Sequence, residues 1–238
     1  MTPVAVVTGA AQGIGRAVCE LLFETGWSVV GIDQVASATV PWETRVADVA
    51  DSTALADALA DLPRIDGLVN NAAVQHAAGL LETTPQEWDA VLAVNLRAPF
   101  VAVREAASRL ATVGGAVVNI SSVHALATSA NVAPYAASKG GLVAFTRAAA
   151  LELAGQGVRV NCVAPGAVDT AALRLGFARH VTGDPERVLR ERTPQRRLGA
   201  PKEIAEAVSF LLDGERSSFI TGETIVVDGG VMARLSTE

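Results

Sequence analysis

Short runs rich in β-branched residues recur along the 238-residue chain, at 4–8, 28–33, 44–48, 65–70, 116–121, 158–163 and 224–228. Alanine-rich stretches of helix length lie between most of them. The runs are continuously apolar rather than alternating, as in Val117-Val118 and Ile225-Val226-Val227, which marks strands covered on both faces. Seven such strands with intervening helices predict a doubly wound α/β fold on a mainly parallel sheet. One domain over residues 1–238 accounts for the chain, since no internal repeat or low-complexity segment interrupts the pattern. The pattern breaks between 171 and 199, ahead of a helix opening at Pro201, and this stretch is the predicted substrate lid. From 134 to 154 the sequence predicts a long helix that Leu142, Val143, Phe145, Ala149, Leu151 and Leu153 make apolar well beyond one stripe. Such a helix needs cover on its outer side too.

Charge narrows the partners. Lys+Arg 19 against Asp+Glu 25 gives −6, which argues against nucleic acid or an anionic membrane surface recruited by bulk charge. Met1-Thr2-Pro3-Val4 runs straight into a strand, and no run is long enough to span a bilayer, so the cytosol is the expected compartment. Cys19 and Cys162 have no metal or disulfide spacing and read as reduced core residues. The lid departs from the overall balance. It holds seven arginines (Arg174, Arg179, Arg187, Arg190, Arg192, Arg196, Arg197) against Asp184, Glu186 and Glu191. These are either solvated and paired, or a site for an anionic substrate.

Thr8-Gly9-Ala10-Ala11-Gln12-Gly13-Ile14-Gly15 follows the first strand and opens a helix. Glycines there allow a tight turn and let a pyrophosphate approach the backbone at a helix N-terminus. Asp33 ends the second strand, where a carboxylate hydrogen-bonds the adenosine ribose hydroxyls and repels a 2′-phosphate. No basic residue follows Asp33 or lies in Ala10-Ala11-Gln12, so NAD is expected rather than NADP.

Tyr135 and Lys139 stand at i and i+4 and share one helix face, thirteen residues after Ser122. A tyrosine titrates near ~10, and poising it at neutrality takes about three units, or roughly 4 kcal/mol. A lysine charge at about 4 Å in an effective dielectric of ~20 supplies roughly that amount. The pair is therefore expected to act as a tuned acid/base.

Together these residues resemble the classical short-chain dehydrogenase/reductase family, over Val4 to Gly230. The resemblance implies a Rossmann-like fold and transfer of hydride between a nicotinamide and a carbinol carbon. It places Gly9, Gln12, Gly13, Ile14, Gly15 and Asp33 on the cofactor, with Asp48 and Val49 at the adenine. Asn70 and Ala72 belong to the segment Asn70-Asn71-Ala72-Ala73, in which Ala73 replaces the family's usual glycine. Pro165, Val168 and Thr170 resemble the stretch that holds the carboxamide, and Asp228-Gly229-Gly230 the terminal strand signature. The catalytic set implied is Asn95, Ser122, Tyr135 and Lys139. Tyr135 exchanges the proton, Ser122 holds the substrate oxygen, Lys139 lowers the tyrosine pKa and anchors the nicotinamide ribose, and Asn95 fixes a water leading to Lys139.

Gln75 and His124 resemble the 3-hydroxybutyrate dehydrogenase branch, in which the matching glutamine and histidine hold a substrate carboxylate. Val132 and Val231 depart from that branch where it carries a lysine and a tryptophan. The expected substrate is a small polar hydroxy compound, with a hydroxy acid, a sugar or sugar acid, a polyol and a cyclic alcohol all open. An acyl-carrier-protein reductase is disfavoured by Asp33, and a nucleotide-sensing regulator would not need the four catalytic residues. His76, His180, Trp27, Trp42 and Trp88 carry no assigned chemistry. By resemblance the chain forms a homotetramer, through the 134–154 helix with the one bearing Asn95, and through 201–228.

Overall fold

The computed structural model describes residues 1–36, 39–171, 173–174 and 185–234. Its strands are β1 (Val4–Thr8), β2 (Ser28–Asp33), β3 (Glu43–Val46), β4 (Gly67–Asn70), β5 (Ala116–Ile120), β6 (Arg159–Pro165) and β7 (Thr224–Val227). They form one seven-stranded sheet in the order β3-β2-β1-β4-β5-β6-β7, with each neighbouring pair parallel. Strand order reverses between β1 and β4, and in such sheets the crevice beyond the strand C-termini at that switch point receives the ligand. Thr8 and Asn70, the last residues of β1 and β4, stand at its floor.

The helices are α1 (Gly13–Glu24), α2 (Ser52–Ala60), α3 (Pro85–Leu92), α4 (Ala98–Val113), α5 (Ala133–Ala154), α6 (Pro185–Arg192) and α7 (Pro201–Leu212). They cover both faces of the sheet, which is why its strands lack polar alternation. Val6, Val30, Val117 and Val160 pack with α2, α4 and α5 residues such as Leu55, Leu110 and Ala149. Val7, Val29, Val118 and Val163 pack with Val18 and Leu22 of α1 and Val208 and Leu211 of α7.

Local sequence explains the helix ends near the site. Asp51 caps α2 by accepting the amides of Thr53 and Ala54, and Thr84 with Glu87 forms a capping box on α3. Between α3 and α4 the chain makes one wide π turn, Ala93–Arg97, in which the Ala98 amide reaches back to the Ala93 carbonyl. π turns recur at functional positions, and this one carries Asn95. The predicted lid is less irregular than its sequence implies, because α6 lies within it. Among the described residues no helix is long and apolar enough to cross a membrane.

Candidate active site

The glycine turn is shaped by close approach. Gly9 sits at φ 67°, and a Cβ there would lie 2.8 Å from the Ala72 Cα. A Cβ on Gly15 would lie 2.1 Å from the Gly9 carbonyl oxygen, so neither position admits a side chain. Gln12 is the extended N-cap of α1 and supplies no side-chain cap, which leaves the first-turn amides of Gly13 and Ile14 without a side-chain acceptor at the positive helix end, where an anion is favoured. Thr170 leans over this turn, its Cγ2 within 3.3 Å of an ideal Cβ on Gly13.

The strip after β4 is stitched to the same turn. Thr8 Oγ1 accepts the amides of Asn71 and Ala72 at 3.1 Å each, and Asn71 Nδ2 donates to the Thr8 and Gly9 carbonyls at 3.0 Å each. Asn70, expected on the cofactor, ends β4 at the cleft floor with only its backbone turned toward the strip. Its side chain is buried in the core and donates to Asn119 Oδ1 at 2.8 Å, so Asn71 is the residue that ties the strip to the turn. Asp33 stands at the end of β2, where one carboxylate oxygen accepts the Ala11 amide at 2.9 Å and the other the Val35 amide at 3.3 Å. Asp48 accepts the Ala50 amide at 2.9 Å, while Val49 is buried beside it. Pro165 ends β6, and Val168 is buried and bridged to Gly199, which roots the far end of the lid.

Ser122, Tyr135, Lys139 and His124 come together. Ser122 Oγ accepts the His124 amide at 3.2 Å, and the same hydroxyl lies close enough to the Tyr135 phenol to oppose the effect of its burial. Lys139 is 2 % exposed; its Nζ donates to the Ile120 carbonyl at 2.8 Å and lies 5.7 Å from the centre of the Tyr135 ring. Burial dominates both titrations. It pulls the Lys139 ammonium down to about 8 and pushes the Tyr135 phenol above its ordinary value, with the nearby Ser122 hydroxyl opposing the latter. Within the protein alone, then, Lys139 does not outweigh the desolvation of the phenol, contrary to the simple charge argument.

Asn95 is 1 % exposed and clamps Val74 from both sides, accepting its amide at 2.8 Å and donating to its carbonyl at 2.9 Å. It also donates to Ser138 Oγ at 3.0 Å, which in turn donates to the Tyr135 carbonyl at 2.7 Å. Asn95 therefore joins the loop after β4 to the first turn of α5. Ser138 and Ser121, whose hydroxyl donates to the Lys139 carbonyl at 2.9 Å, support the catalytic turn and carry no sequence signal beyond their place beside Lys139 and Ser122.

His124 packs edge-on against Tyr135, with ring centroids 5.7 Å apart, and its Nδ1 is 2.9 Å from Thr128 Oγ1. Burial lowers its pKa, so at neutral pH it offers a hydrogen bond rather than a charge. Gln75 is exposed next to the clamped Val74, and His76 Nε2 lies 3.8 Å from Glu87 without a hydrogen bond. In the lid, Arg174 pairs with Asp169, Arg187 with Glu191, Arg190 with Glu186 and Arg197 with Glu203. Arg179 and His180 lie outside the described residues.

The family described as Enoyl-(Acyl carrier protein) reductase matches residues 9–232. An uncharacterized oxidoreductase of Thermotoga maritima is 36% identical, over 99% of this chain and 98% of its own. The cis-4-hydroxycyclohexanecarboxylate dehydrogenase of Sinomonas cyclohexanicum is 37% identical, over 97% and 96%. Among solved structures, the Thermoplasma acidophilum aldohexose dehydrogenase superposes with a TM-score of 0.94 at 30% identity, covering 99% of this chain and 96% of that one.

The chain belongs to the short-chain dehydrogenase/reductase family. As a member it is an oxidoreductase that works on alcohol- or ketone-type groups with a nicotinamide cofactor. The glycine cradle, the open first turn of α1 and the carboxylate of Asp33 fit the pyrophosphate and ribose of such a cofactor. When bound, the nicotinamide supplies the hydride acceptor or donor.

Proposed function

We propose that this short-chain dehydrogenase is an NAD-dependent enzyme of the cytosol that interconverts a secondary alcohol and a ketone, with Tyr135 as general acid/base. The observation that carries this reading is the convergence of Ser122, the Tyr135 phenol and the buried Lys139, whose Nζ lies 5.7 Å from the centre of the same ring. Tyr135 takes the hydroxyl proton in oxidation and returns it in reduction. Ser122 holds the substrate oxygen as charge develops on it. Lys139, held by Ile120, is placed to stabilise the phenolate once a proton has to leave.

Preference for NAD is supported by Asp33, whose carboxylate is fixed by two amides at the mouth of the cofactor cleft and would repel a 2′-phosphate. The substrate is a small polar hydroxy compound. The hydroxy-acid reading draws on Gln75, on His124 beside Tyr135, and on the acid handled by the Sinomonas relative. A specific observation favours a neutral polyol, sugar or cyclic alcohol instead. Four lid arginines already have carboxylate partners, and a bound anion would have to compete with them.

Initial rates with NAD and NADP at equal concentration, over a panel pairing each hydroxy acid with its ester or alcohol analogue, test the reading. Faster turnover with NAD supports the cofactor assignment. Preference for acids, lost in His124→Ala or Gln75→Ala, supports the carboxylate site; faster turnover of neutral alcohols or sugars makes those residues and the lid arginines structural. The assembly is proposed to be a homotetramer, in which Phe100 and Leu151 on the outer faces of α4 and α5, and Phe219 ahead of β7, become covered. Light scattering that reads a monomer at micromolar concentration would contradict it.

A further inference from the structure

The helix that carries Tyr135 and Lys139 is apolar almost all round, with little one-sided bias in its hydrophobic residues. Burial alone then discriminates weakly between one rotation or axial setting of α5 and the next, since each buries apolar surface. Something else must fix which residues of α5 meet the end of β5.

A buried chain of polar side chains crosses that interface. Asn70 and Asn119 are register partners on β4 and β5, and Asn70 Nδ2 donates to Asn119 Oδ1 at 2.8 Å. Asn119 Nδ2 donates to Thr146 Oγ1 on α5 at 2.9 Å, and Thr146 Oγ1 donates to the Leu142 carbonyl at 2.8 Å. All three side-chain owners are nearly inaccessible, Asn119 and Thr146 at 0%. With its proton committed to Leu142, the Thr146 hydroxyl can only accept from Asn119, and the bond has one polarity and one geometry. Slipping or rotating α5 would leave a buried amide and hydroxyl unpaired, a penalty that apolar contacts do not impose. Thr146 lies seven residues after Lys139, so the two share a helix face. Fixing one sets the other.

We propose that Asn119 and Thr146 are positioning residues for the reaction: their hydrogen bond fixes the rotation and register of α5 on the sheet and so places Tyr135 and Lys139 against Ser122 and Ile120. Buried polar groups elsewhere select one register among several apolar alternatives in the same way. The pin also reaches Asn70, at the root of the strip stitched to the glycine turn, so the cofactor turn and the catalytic helix are indexed to the same strand. The inference rests on Tyr135 and Lys139 being the acid/base pair.

The test exploits Tyr135 being the only tyrosine of the chain, so a carbon-13 label at tyrosine Cζ reports on it alone. Thr146→Val keeps the shape and removes the hydroxyl. The expected result is a fall in kcat of about tenfold, with KM for NAD within about twofold, because the interaction lost is one made in the transition state. The Tyr135 titration midpoint by NMR is expected to rise by about half a unit as the phenol loses its place beside Ser122, and Thr146→Ser is expected to restore both. A folded Thr146→Val with unmoved kcat and midpoint overturns the proposal, whatever its Tm, as does failure of Thr146→Ser to restore them. Should Thr146→Val not fold, the Asn119→Ala/Thr146→Val pair, which leaves room for water beside Asn70, is read by the same criteria. If the wild type turns over no alcohol of the panel, the assigned activity fails separately, and the NMR titration still decides the pin.

Discussion

The Ser122 hydroxyl lies beside the Tyr135 phenol and opposes the burial that pushes the phenol pKa up. Ser122 is held there by the turn after β5, where its oxygen accepts the His124 amide. The proposed catalytic pair is therefore built by a loop and a helix that meet at the C-terminal edge of the sheet, with Lys139 enclosed behind them.

Enclosing Lys139 is costly. Its pKa falls from 10.5 to about 8 on folding. Between those values the unfolded chain binds the proton and the folded one does not, so stability rises with pH through that window and the full penalty is present below it. Lys139→Met is expected to abolish turnover yet stabilise the fold at pH 7 by about 1–3 kcal/mol, with the gain shrinking as pH approaches 10. Thermal melts of both proteins across that range check it; a variant destabilised at neutral pH contradicts the enclosure argument.

Asp33→Ala removes the carboxylate proposed to meet the adenosine ribose and frees the Ala11 amide. Discrimination against NADP is expected to fall by about tenfold or more, mainly through a lower KM for NADP. Parallel kinetics with both cofactors read this directly, and an unchanged ratio would remove Asp33 from cofactor selection.

Arg159 opens β6 almost fully buried, and its guanidinium donates to the Leu211 and Leu212 carbonyls at 2.8 and 3.3 Å and to Ser217 Oγ at 2.9 Å. It thereby caps the C-terminus of α7, where a cation is favoured by the helix dipole. Arg159→Met removes these donors, leaving the Leu211 carbonyl only the Ser217 hydroxyl at 3.1 Å, and is expected to cost about 2–4 kcal/mol, with kcat of the folded fraction little changed. Denaturant titration measures the loss.

Much of this was legible in the chain, for identifiable reasons. Strands covered on both faces give uninterrupted runs such as Val117-Val118, and a helix repeat fixes the relation of Tyr135 to Lys139 with no tertiary knowledge. The i,i+4 pairs Glu186–Arg190 and Arg187–Glu191 were also readable from spacing, which already weakens the anionic reading of the lid. Other features depend on packing. The Tyr135 phenol is raised because the fold desolvates it, and the spacing of its lysine neighbour does not reveal that. Asn70 turns into the core because its register partner on β5 is another asparagine, a relation between residues 49 positions apart. Arg197 finds Glu203 only because the lid returns along the start of α7.

The central claim, that Tyr135 exchanges the substrate proton, is tested most directly by following NAD reduction with the best alcohol of the panel in the wild type and in Tyr135→Phe, alongside NADH binding. The account predicts a loss of kcat of about 10²–10⁴-fold with NADH affinity preserved, and a wild-type oxidation rate that climbs with pH as the raised phenol gives up its proton. A Tyr135→Phe enzyme that keeps its rate, with the same pH dependence, would contradict it.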